Sequence, residues 1–325
     1  MQKAAKNHLQ IHQMTIAQFE QLFPDEDHCK AYLTRNRWPD GVIRCPRCGN
    51  DKVWELPSRA HHWQCKQCAE QGYRFSVLVG TIFENTNKPL RDWFRVMHMM
   101  LTSKKGISAL QIYRVMGFGS YNTAHLMCSK IRVALGNVEF KQLVGYVEVD
   151  ETYVGGKAKN KHKDKRGGPP GASGQGTYGK TSVVGAISRK GNVVARVMDG
   201  TDAKTLNAFV REVVSHKVSL ISTDEHGGYK YLSRDFPHGM VRHTSGEYVH
   251  GNIHTNTIEG FWSLVKRGIM GTFHHVSKQH LDRYLSEFDF RYNAREVSDT
   301  ERAKLALKGV GGKRLKYRDS LVKAR

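Results

Sequence analysis

Acidic residues are scarce in this chain of 325 residues: 30 aspartates and glutamates stand against 51 lysines and arginines, a formal net charge of +21. Such an excess creates a positive potential that attracts polyanions. Long apolar runs are also missing, since no stretch approaches the roughly 18 residues that a transmembrane helix needs. These two shortages exclude an integral membrane protein and favour nucleic acid as the partner.

The first residues contain neither the apolar core of a secretory signal nor a glycine for myristoylation. We therefore expect a cytoplasmic protein that is associated with the nucleoid through its charge. The composition, 39% hydrophobic and 10% aromatic, suits a chain with buried cores and excludes global disorder. A chain of this length has room for two or three domains.

Four of the six cysteines form two short pairs. Cys45-Pro-Arg-Cys48 and Cys65-Lys-Gln-Cys68 are separated by 16 residues, a spacing that lets four thiolates complete a tetrahedral shell around zinc. Alternating residues between the pairs predict the short strands of a zinc ribbon over residues 41–80. Two disulfides would need an oxidising compartment, which nothing in the sequence supports. Four cysteines leave the metal no open position, so we predict a structural zinc ion.

Helical spacing of apolar residues occurs on both sides of the predicted ribbon. Short helices are expected within residues 1–40. Residues 88–138 predict a further helical region, where a glycine-bearing turn joins two helices and Ser120 is the N-cap of the second. This pattern is typical of a DNA-binding helix-turn-helix, and also of two packed helices without DNA contact. Cys29 and Cys128 are expected to be buried small hydrophobic side chains.

The second half of the chain alternates between strand and helix patterns, which predicts an α/β domain with a mixed sheet over residues 143–300. Residues 157–180 interrupt it with glycines, seven basic residues and one acid, so a solvated loop is expected. Residues 301–325 are also basic and are expected to form a similar tail. Each segment either contacts phosphates or only keeps the chain soluble.

Carboxylates at predicted strand ends oppose the general charge of the chain. Asp150 and Asp224 each end an apolar β-run, and sites form at the carboxyl ends of strands in open α/β sheets. Glu259 lies on a predicted helix three residues after Asn256, so the two side chains share one face. Three carboxylates from separate elements repel each other unless cations lie among them. The set therefore predicts a divalent-metal site that acts on phosphates.

Three segments resemble the active-site segments of DDE-type insertion-sequence transposases. They are residues 147–157 (VEVDETYVGGK), residues 223–224 (TD) and residues 254–263 (HTNTIEGFWS). The 34 residues between Asp224 and Glu259 suit the pattern of this family. The resemblance is to the bacterial group that has an N-terminal zinc ribbon and an RNase H-like catalytic domain, and it covers most of the chain.

The resemblance implies a DNA transposase, which binds the ends of its element and catalyses metal-dependent strand cleavage and strand transfer. Asp150, Asp224 and Glu259 would be the catalytic triad that binds two Mg2+ ions, or Mn2+, and Asn256 an accessory site residue. The expected partner is double-stranded DNA, as transposon ends and as target. Because two ends are paired, the family also implies a homo-oligomer on DNA. Recognition of the ends would fall to the ribbon and the helix-turn-helix.

Other polar residues near the predicted triad leave alternatives open. Glu151 and Glu225 directly follow the two aspartates, and strand alternation is expected to turn Glu151 to the face opposite Asp150. Glu148 shares the face of Asp150 and is a candidate helper. His254 is a candidate for assistance at a phosphate.

Basic residues supply candidates for contact with the DNA backbone. Two of them follow Glu259 on the same predicted helix, and the others lie in the basic loop. In order along the chain, the candidates are Lys161, Lys163, Lys165, Lys266 and Arg267.

Two other functions compete with a transposase. A nuclease or junction resolvase with an RNase H fold needs no reader for transposon ends, so the ribbon and helical region argue against it. A non-catalytic zinc-ribbon regulator of DNA does not require three intact acids, and all three are present.

Overall fold

The chain folds into two compact units, and the computed structural model describes most residues of both. The described residues are 14–68, 72–136, 140–156, 179–241, 249 and 251–316. The first unit consists of Met1–Val138 and Ala294–Arg325, and the second of Glu139–Asn293. The second unit thus ends before residue 300, the expected boundary. Within the described residues, no helix is both long and apolar enough to cross a membrane.

Two short helices open the described part of the first unit. Helix α1 spans Ile16–Leu22 and α2 spans Glu26–Arg37, so short helices are present within residues 1–40 as predicted, and Pro24 lies between them. The Thr15 side chain caps α1 as part of a capping box. The Asp25 carboxylate caps α2 by accepting a hydrogen bond from a backbone amide in its first turn.

The cysteine-rich region folds into a three-stranded antiparallel sheet. On one of its faces Trp63 is buried and its ring packs against the rings of Trp38 and Phe75. The third strand was not expected from the sequence, because its four residues have too short an alternation to stand out. In the order β1-β2-β3, the strands are Val53–Leu56, Arg59–Cys65 and Tyr73–Ser76.

Three further helices follow in the first unit, and the last two are joined by a tight turn. Gly117 ends the first of this pair in the left-handed conformation, with φ of 62°. Ser120 then caps the next helix, accepting a hydrogen bond from the Asn122 amide at 3.2 Å, as predicted. The helices are α3 (Leu90–Thr102), α4 (Ala109–Met116) and α5 (Tyr121–Leu135).

Residues 301–308, which were expected to form part of a solvated tail, instead belong to a packed helix. Helix α9, the last one in the described part of the chain, spans Asp299–Lys308, and it buries Ala306 and Leu307. The guanidinium of Arg302 is also buried, donating hydrogen bonds to Ala294 O and to the Asp299 carboxylate. Apolar residues between the basic ones explain the difference, because they give this stretch a face to bury. Residues 317–325 lie outside the described residues.

The second unit contains a five-stranded mixed sheet, as predicted. Its strand order is β6-β5-β4-β7-β8, in which β4, β5 and β6 pair antiparallel while β7 and β8 run parallel to β4. This order and these directions are those of an RNase H-like sheet. The strands are β4 (Leu143–Val154), β5 (Thr181–Ser188), β6 (Val193–Met198), β7 (Val214–Thr223) and β8 (His238–Met240).

Helices cover both faces of this sheet. Val147 and Val149 of β4 face the core that α6 and Tyr229 complete, whereas Val154 faces the core formed with α7 and α8. Alternation along β4 therefore divides its side chains between two hydrophobic cores. The helices of this unit are α6 (Ala203–Val213), α7 (Asn256–Gly268) and α8 (Lys278–Asn293).

Helix α8 also covers the edge strand β6. Three of its side chains accept hydrogen bonds from outward-facing backbone amides of β6, which an edge strand would otherwise leave free to pair with another chain. In donor-acceptor order, the pairs are Val193 with Asn293 at 2.7 Å, Ala195 with Asp289 at 2.9 Å and Val197 with Asp282 at 2.9 Å.

Strand β4 is longer than the sequence pattern indicated. Asp150 was expected at its end, but β4 continues to Val154 because its pairing with β5 extends to Thr181. The prediction for Asp224 is confirmed, since it directly follows the last residue of β7. After Asp224 the chain forms two short 3-10 turns, Gly227–Tyr229 and Leu232–Arg234.

Candidate functional site

The four paired cysteines come together in the first unit. Their sulfur atoms all lie within 4.8 Å of one another. Cys45 Sγ lies 3.3 Å from Cys68 Sγ, and Cys48 Sγ lies 3.8 Å from Cys65 Sγ. Around a tetrahedral ion with Zn–S bonds of about 2.3 Å, neighbouring sulfurs would be about 3.8 Å apart. The cluster therefore has the donor set and the size for a structural zinc ion.

Local backbone geometry shapes the first half of this cluster. Gly49 has a left-handed φ of 76°, which turns the chain so that its amide donates to Cys45 O at 2.8 Å. The Cys45 amide donates in turn to Asn50 O at 2.8 Å. Cys29 and Cys128 lie apart from the cluster and are fully buried, as predicted. Burial raises the pKa of the Cys29 thiol to about 12, which keeps it protonated.

A second cluster, of carboxylates, lies in the second unit. Oxygen atoms of Asp150, Glu151 and Asp224 all lie within 4.8 Å of one another. The cluster forms where β7 ends beside the continuing β4, so Asp224 in the following loop meets the side chains of β4. The predicted meeting of the two aspartates is thus present.

Glu151 belongs to this cluster, contrary to the expectation that it points away from the site. The side chains of Asp150 and Glu151 still point to opposite faces of the sheet. Asp150 accepts a hydrogen bond from Trp262, which belongs to the hydrophobic core on the α7 face, and Glu151 accepts one from Tyr229, which belongs to the core on the α6 face. The last residue pair between β4 and β7 is Glu148 with Ser222. Beside residue 151 no β7 residue is paired with β4, so side chains from both faces of β4 can meet there. The longer Glu151 side chain therefore reaches Asp224.

Crowding of carboxylates changes the ionisation of Asp150. Burial raises the pKa of Asp150 to about 7, with further increases from the negative charges of Asp224 and Glu151. Burial also raises the pKa of Glu151. A cation among these oxygens would offset both effects, so the donor set and its charge fit a hard divalent metal such as Mg2+.

Two buried aromatic residues hold the cluster in place. The Trp262 indole Nε1 donates to Asp150 Oδ2 at 3.0 Å, and the Tyr229 hydroxyl donates to Glu151 Oε2 at 2.6 Å. Gly185, the cross-strand partner of Asp150, makes room for the indole, because a Cβ at this position would lie 2.6 Å from the Trp262 ring. The sequence analysis did not identify Tyr229 or Gly185.

Asn256 and Glu259 lie in the first turn of α7, and both are exposed. Glu259 is not a member of the three-carboxylate cluster, and its Oε1 accepts a hydrogen bond from Thr255 Oγ1 at 2.9 Å. Trp262, three residues after Glu259 on α7, is the residue of this helix that touches Asp150.

Glu148 holds the start of α7 against the sheet. Its side chain is fully buried, and its Oε2 accepts hydrogen bonds from the Thr257 and Ile258 amides at 2.8 and 3.0 Å. It thereby satisfies two free amides of the first helical turn and places a negative charge at the positive end of the helix. Its Oε1 forms a 2.7 Å ion pair with Arg189. The candidate helper of the sequence analysis is thus a cap for α7.

His254 lies beside this cap. Its Nδ1 is 3.2 Å from Glu148 Oε1, and its carbonyl accepts a hydrogen bond from Arg189 Nη2 at 3.1 Å. Arg189 was not identified from the sequence, because its role depends on a contact with residues more than 40 positions away.

The basic residues predicted to contact DNA lie in two parts of the chain. Lys266 and Arg267 are exposed in the last turn of α7. Lys161, Lys163 and Lys165 lie outside the described residues.

Comparisons with known proteins agree with both clusters. Residues 142–293 match the family model of an ISXO2-like transposase domain, and residues 24–71 that of a transposase zinc-ribbon domain. A Halobacterium salinarum protein described as an uncharacterized protein in transposable element ISH50 is 29% identical over 277 residues, which are 83% of this chain and 91% of that protein. An uncharacterized transposase-like protein of Haemophilus influenzae is 29% identical over 109 residues, 33% of this chain and 86% of that protein.

Proposed function

Because this chain belongs to the insertion-sequence transposases with an N-terminal zinc ribbon, we propose that it binds the DNA ends of its element and catalyses metal-dependent strand cleavage and strand transfer. The observation that carries the proposal is the meeting of Asp150, Glu151 and Asp224 inside the region that matches the transposase domain. The net charge of +21 suits DNA as the substrate.

Asp150, Asp224 and Glu259 are the proposed metal-binding triad, for two Mg2+ ions or for Mn2+. Held by these carboxylates, such metal would supply Lewis-acid chemistry: it would lower the pKa of an attacking water or 3′-hydroxyl group and would stabilise the leaving oxygen. The bond between Asp150 and Trp262 supports the inclusion of Glu259, because it brings the first turns of α7 to the cluster.

The remaining residues of the site orient these carboxylates. Trp262 donates a hydrogen bond to one oxygen of Asp150, and Tyr229 donates one to an oxygen of Glu151. The Glu151 carboxylate adds a fourth acidic group beside the three of the triad. Glu148 fixes the end of α7 from which Asn256 projects. The Asn256 amide is exposed and can donate a hydrogen bond to a phosphate oxygen.

DNA binding is assigned to basic and helical surfaces on both units. Lys266 and Arg267 are proposed to contact the phosphate backbone, as are Lys161, Lys163 and Lys165. The ribbon and the α4–α5 pair are proposed to read the transposon ends. The exposed first turn of α5 supports this assignment, because Tyr121 and Asn122 are exposed there, whereas the following turns are buried or half-buried. The complex with paired ends is proposed to contain more than one copy of the chain.

A strand-transfer assay tests the proposal. Purified protein is incubated with Mg2+ and labelled duplexes taken from the DNA that flanks its reading frame, together with an unrelated plasmid as target. We expect the labelled 3′ ends to be cut and joined to the plasmid, and duplexes of scrambled sequence to remain uncut. Cutting without joining would instead indicate a nuclease or resolvase, and binding without cutting would indicate a regulator.

A further inference from the structure

The outer face of the ribbon sheet carries an exposed tryptophan. Trp54 of β1 pairs with Gln64 of β2, and its side chain is 53% exposed. Trp63 directly precedes Gln64 and points to the other face of the sheet, where it is buried against Trp38. The ribbon therefore buries the indole of Trp63 and exposes that of Trp54 to solvent. The exposed area of Trp54 does not stabilise the fold, because only buried apolar area contributes to the free energy of folding.

The residues that line a depression beside Trp54 are basic or carry amide groups. Lys66 Nζ lies 5.3 Å from the centroid of the Trp54 ring, in the range of a cation–π contact. An open depression at this face is lined by Trp54, Asn50, Lys52, Lys66 and Gln67, and none of the five is acidic. The Asn50 and Gln67 side chains hydrogen-bond to each other across the depression.

The cysteine cluster holds this surface together. Lys66 and Gln67 lie between Cys65 and Cys68 in sequence, and Asn50 O accepts the hydrogen bond from the Cys45 amide. A metal ion in the cluster would thereby fix both sides of the depression. The depression would then already have its shape in the free protein and would not need to form on binding.

We propose that this surface binds an unpaired nucleotide of DNA, with its base stacked on Trp54 and its flanking phosphates beside Lys52 and Lys66. A flat aromatic face surrounded by ammonium groups matches a base flanked by phosphates, whereas an acidic peptide offers charge without a flat face. The base must be unpaired, because in a duplex both faces of each base are covered by its neighbours. The inference rests on the proposed function, since strand cleavage at a DNA end supplies such nucleotides.

A binding measurement with three DNA substrates tests the inference on the full-length, zinc-loaded chain. The first is a duplex with a three-nucleotide overhang, the second has an abasic residue at the first unpaired position, and the third is blunt. With EDTA-free buffer containing Ca2+ in place of Mg2+, we expect the wild-type chain to bind the first about 5- to 100-fold more tightly than the abasic one. This comparison needs no variant, so a folding defect cannot affect it.

Variants then assign the effect to Trp54. Trp54→Ala should bind the intact and abasic overhangs equally, and Trp54→Phe should keep part of the difference because phenylalanine also stacks. The control is Tyr231→Ala in the second unit, where an aromatic ring that is 42% exposed also lies under a cation, 4.6 Å from Arg234. It should leave the difference unchanged. Zinc content confirms that each variant is folded at the ribbon.

Any of three results would overturn the inference. The first is equal affinity of the wild-type chain for the intact and abasic overhangs, and the second is a Trp54→Ala variant that retains the full difference. The third is a Trp54→Ala variant that loses as much affinity for the blunt duplex as for the duplex with the overhang, because this would show that Trp54 contacts paired DNA. Because no cleavage is measured, failure of the proposed function shows separately, as an absence of strand transfer with Mg2+.

Discussion

The Glu151 carboxylate lies among the proposed metal-binding acids and accepts a 2.6 Å hydrogen bond from Tyr229. Tyr229→Phe removes this donor but keeps the ring in the core. We expect the variant to need about 10-fold more Mg2+ for half-maximal strand transfer, because residues that orient a metal ligand contribute to metal affinity. At saturating Mg2+ its rate should approach that of the wild type.

Two comparisons complete this prediction. Glu151→Gln should raise the Mg2+ requirement in the same direction, and the double variant should add little to it because the two residues act as one unit. Tyr231→Phe, two residues further on and at the surface, is the matched control. A Tyr229→Phe variant with an unchanged Mg2+ requirement would show that Glu151 needs no anchor.

Gly185 tests whether the indole of Trp262 positions Asp150. Gly185→Ala places a Cβ 2.6 Å from that ring and must displace it. We expect the free energy of unfolding to fall by about 1–3 kcal/mol through overpacking. Strand transfer should fall about 10- to 100-fold, because a small displacement of a reacting group has a large effect on rate.

The control for this change is Gly260→Ala on α7, where a Cβ would meet nothing within 4 Å. That variant should be as stable as the wild type or slightly more so, since alanine favours a helix. Chemical denaturation measures both variants. If Gly185→Ala kept both wild-type stability and wild-type activity, Trp262 would not be a positioning residue.

At the scale of elements, the start of α7 depends on one buried charge. Glu148→Gln leaves Arg189 without its partner and weakens the bonds to the Thr257 and Ile258 amides. We expect a loss of about 3–5 kcal/mol in the free energy of unfolding, as for other buried pairs that lose one member. Strand transfer should also fall, because α7 carries Asn256.

A double variant distinguishes the cost of leaving Arg189 as an unpaired charge from the cost of weakening the cap of α7. Glu148→Gln combined with Arg189→Met should recover part of the lost stability, because no unpaired charge then remains. For comparison, the pair Arg196–Glu212 is at the surface with a distance of 2.7 Å, and Glu212→Gln should cost less than about 1 kcal/mol. Equal losses for Glu148→Gln and Glu212→Gln would contradict the role of Glu148.

The contact between α8 and the edge strand β6 contains a further acid, Asp289, whose side chain is half-buried. Asp289 Oδ2 accepts from the Ala195 amide at 2.9 Å, while its Oδ1 is buried with no hydrogen-bond partner. Burial raises the pKa of Asp289 well above its usual value, so the folded chain keeps a proton that the unfolded chain loses. This acid therefore lowers stability as the pH rises above about 4.

Asp289→Asn removes this pH dependence while it keeps an acceptor for the Ala195 amide. We expect the variant to gain stability over the wild type at pH 8, by about 1 kcal/mol or more, and to lose this advantage near pH 4. Asp282→Asn, at an exposed position of the same helix, should show no such trend. Thermal unfolding at a series of pH values measures the difference, and a gain that does not depend on pH would contradict the assignment.

At the scale of the whole molecule, local patterns predicted the cysteine cluster and the meeting of Asp150 with Asp224, and long-range contacts did not follow from them. The pairs Cys45–Cys48 and Cys65–Cys68 specify their site by spacing alone, because two thiolates two residues apart can reach one ion. The mixed sheet followed from the order of strand and helix patterns.

What escaped prediction depends on residues far apart in the chain. Glu151 joins the acids only because β7 ends beside it, and no pattern around residue 151 contains that information. Helix α9 was missed because its charges outweigh its few apolar residues until α2 and α3 cover them. The assignment of Glu259 to the metal site stays a prediction that rests on the family resemblance.

The most direct test of the account is strand transfer by pre-cut transposon ends with free 3′-hydroxyl groups, measured with Mg2+ for Asp150→Ala, Asp224→Ala and Glu259→Ala. Asp199→Ala is the control, because that side chain is 97% exposed. We expect each triad variant to bind the ends as the wild type does and to lose joining by at least about 1,000-fold, since metal ions supply much of the transition-state stabilisation. Normal joining by any triad variant, with Asp199→Ala also normal, would contradict the proposed metal-binding triad.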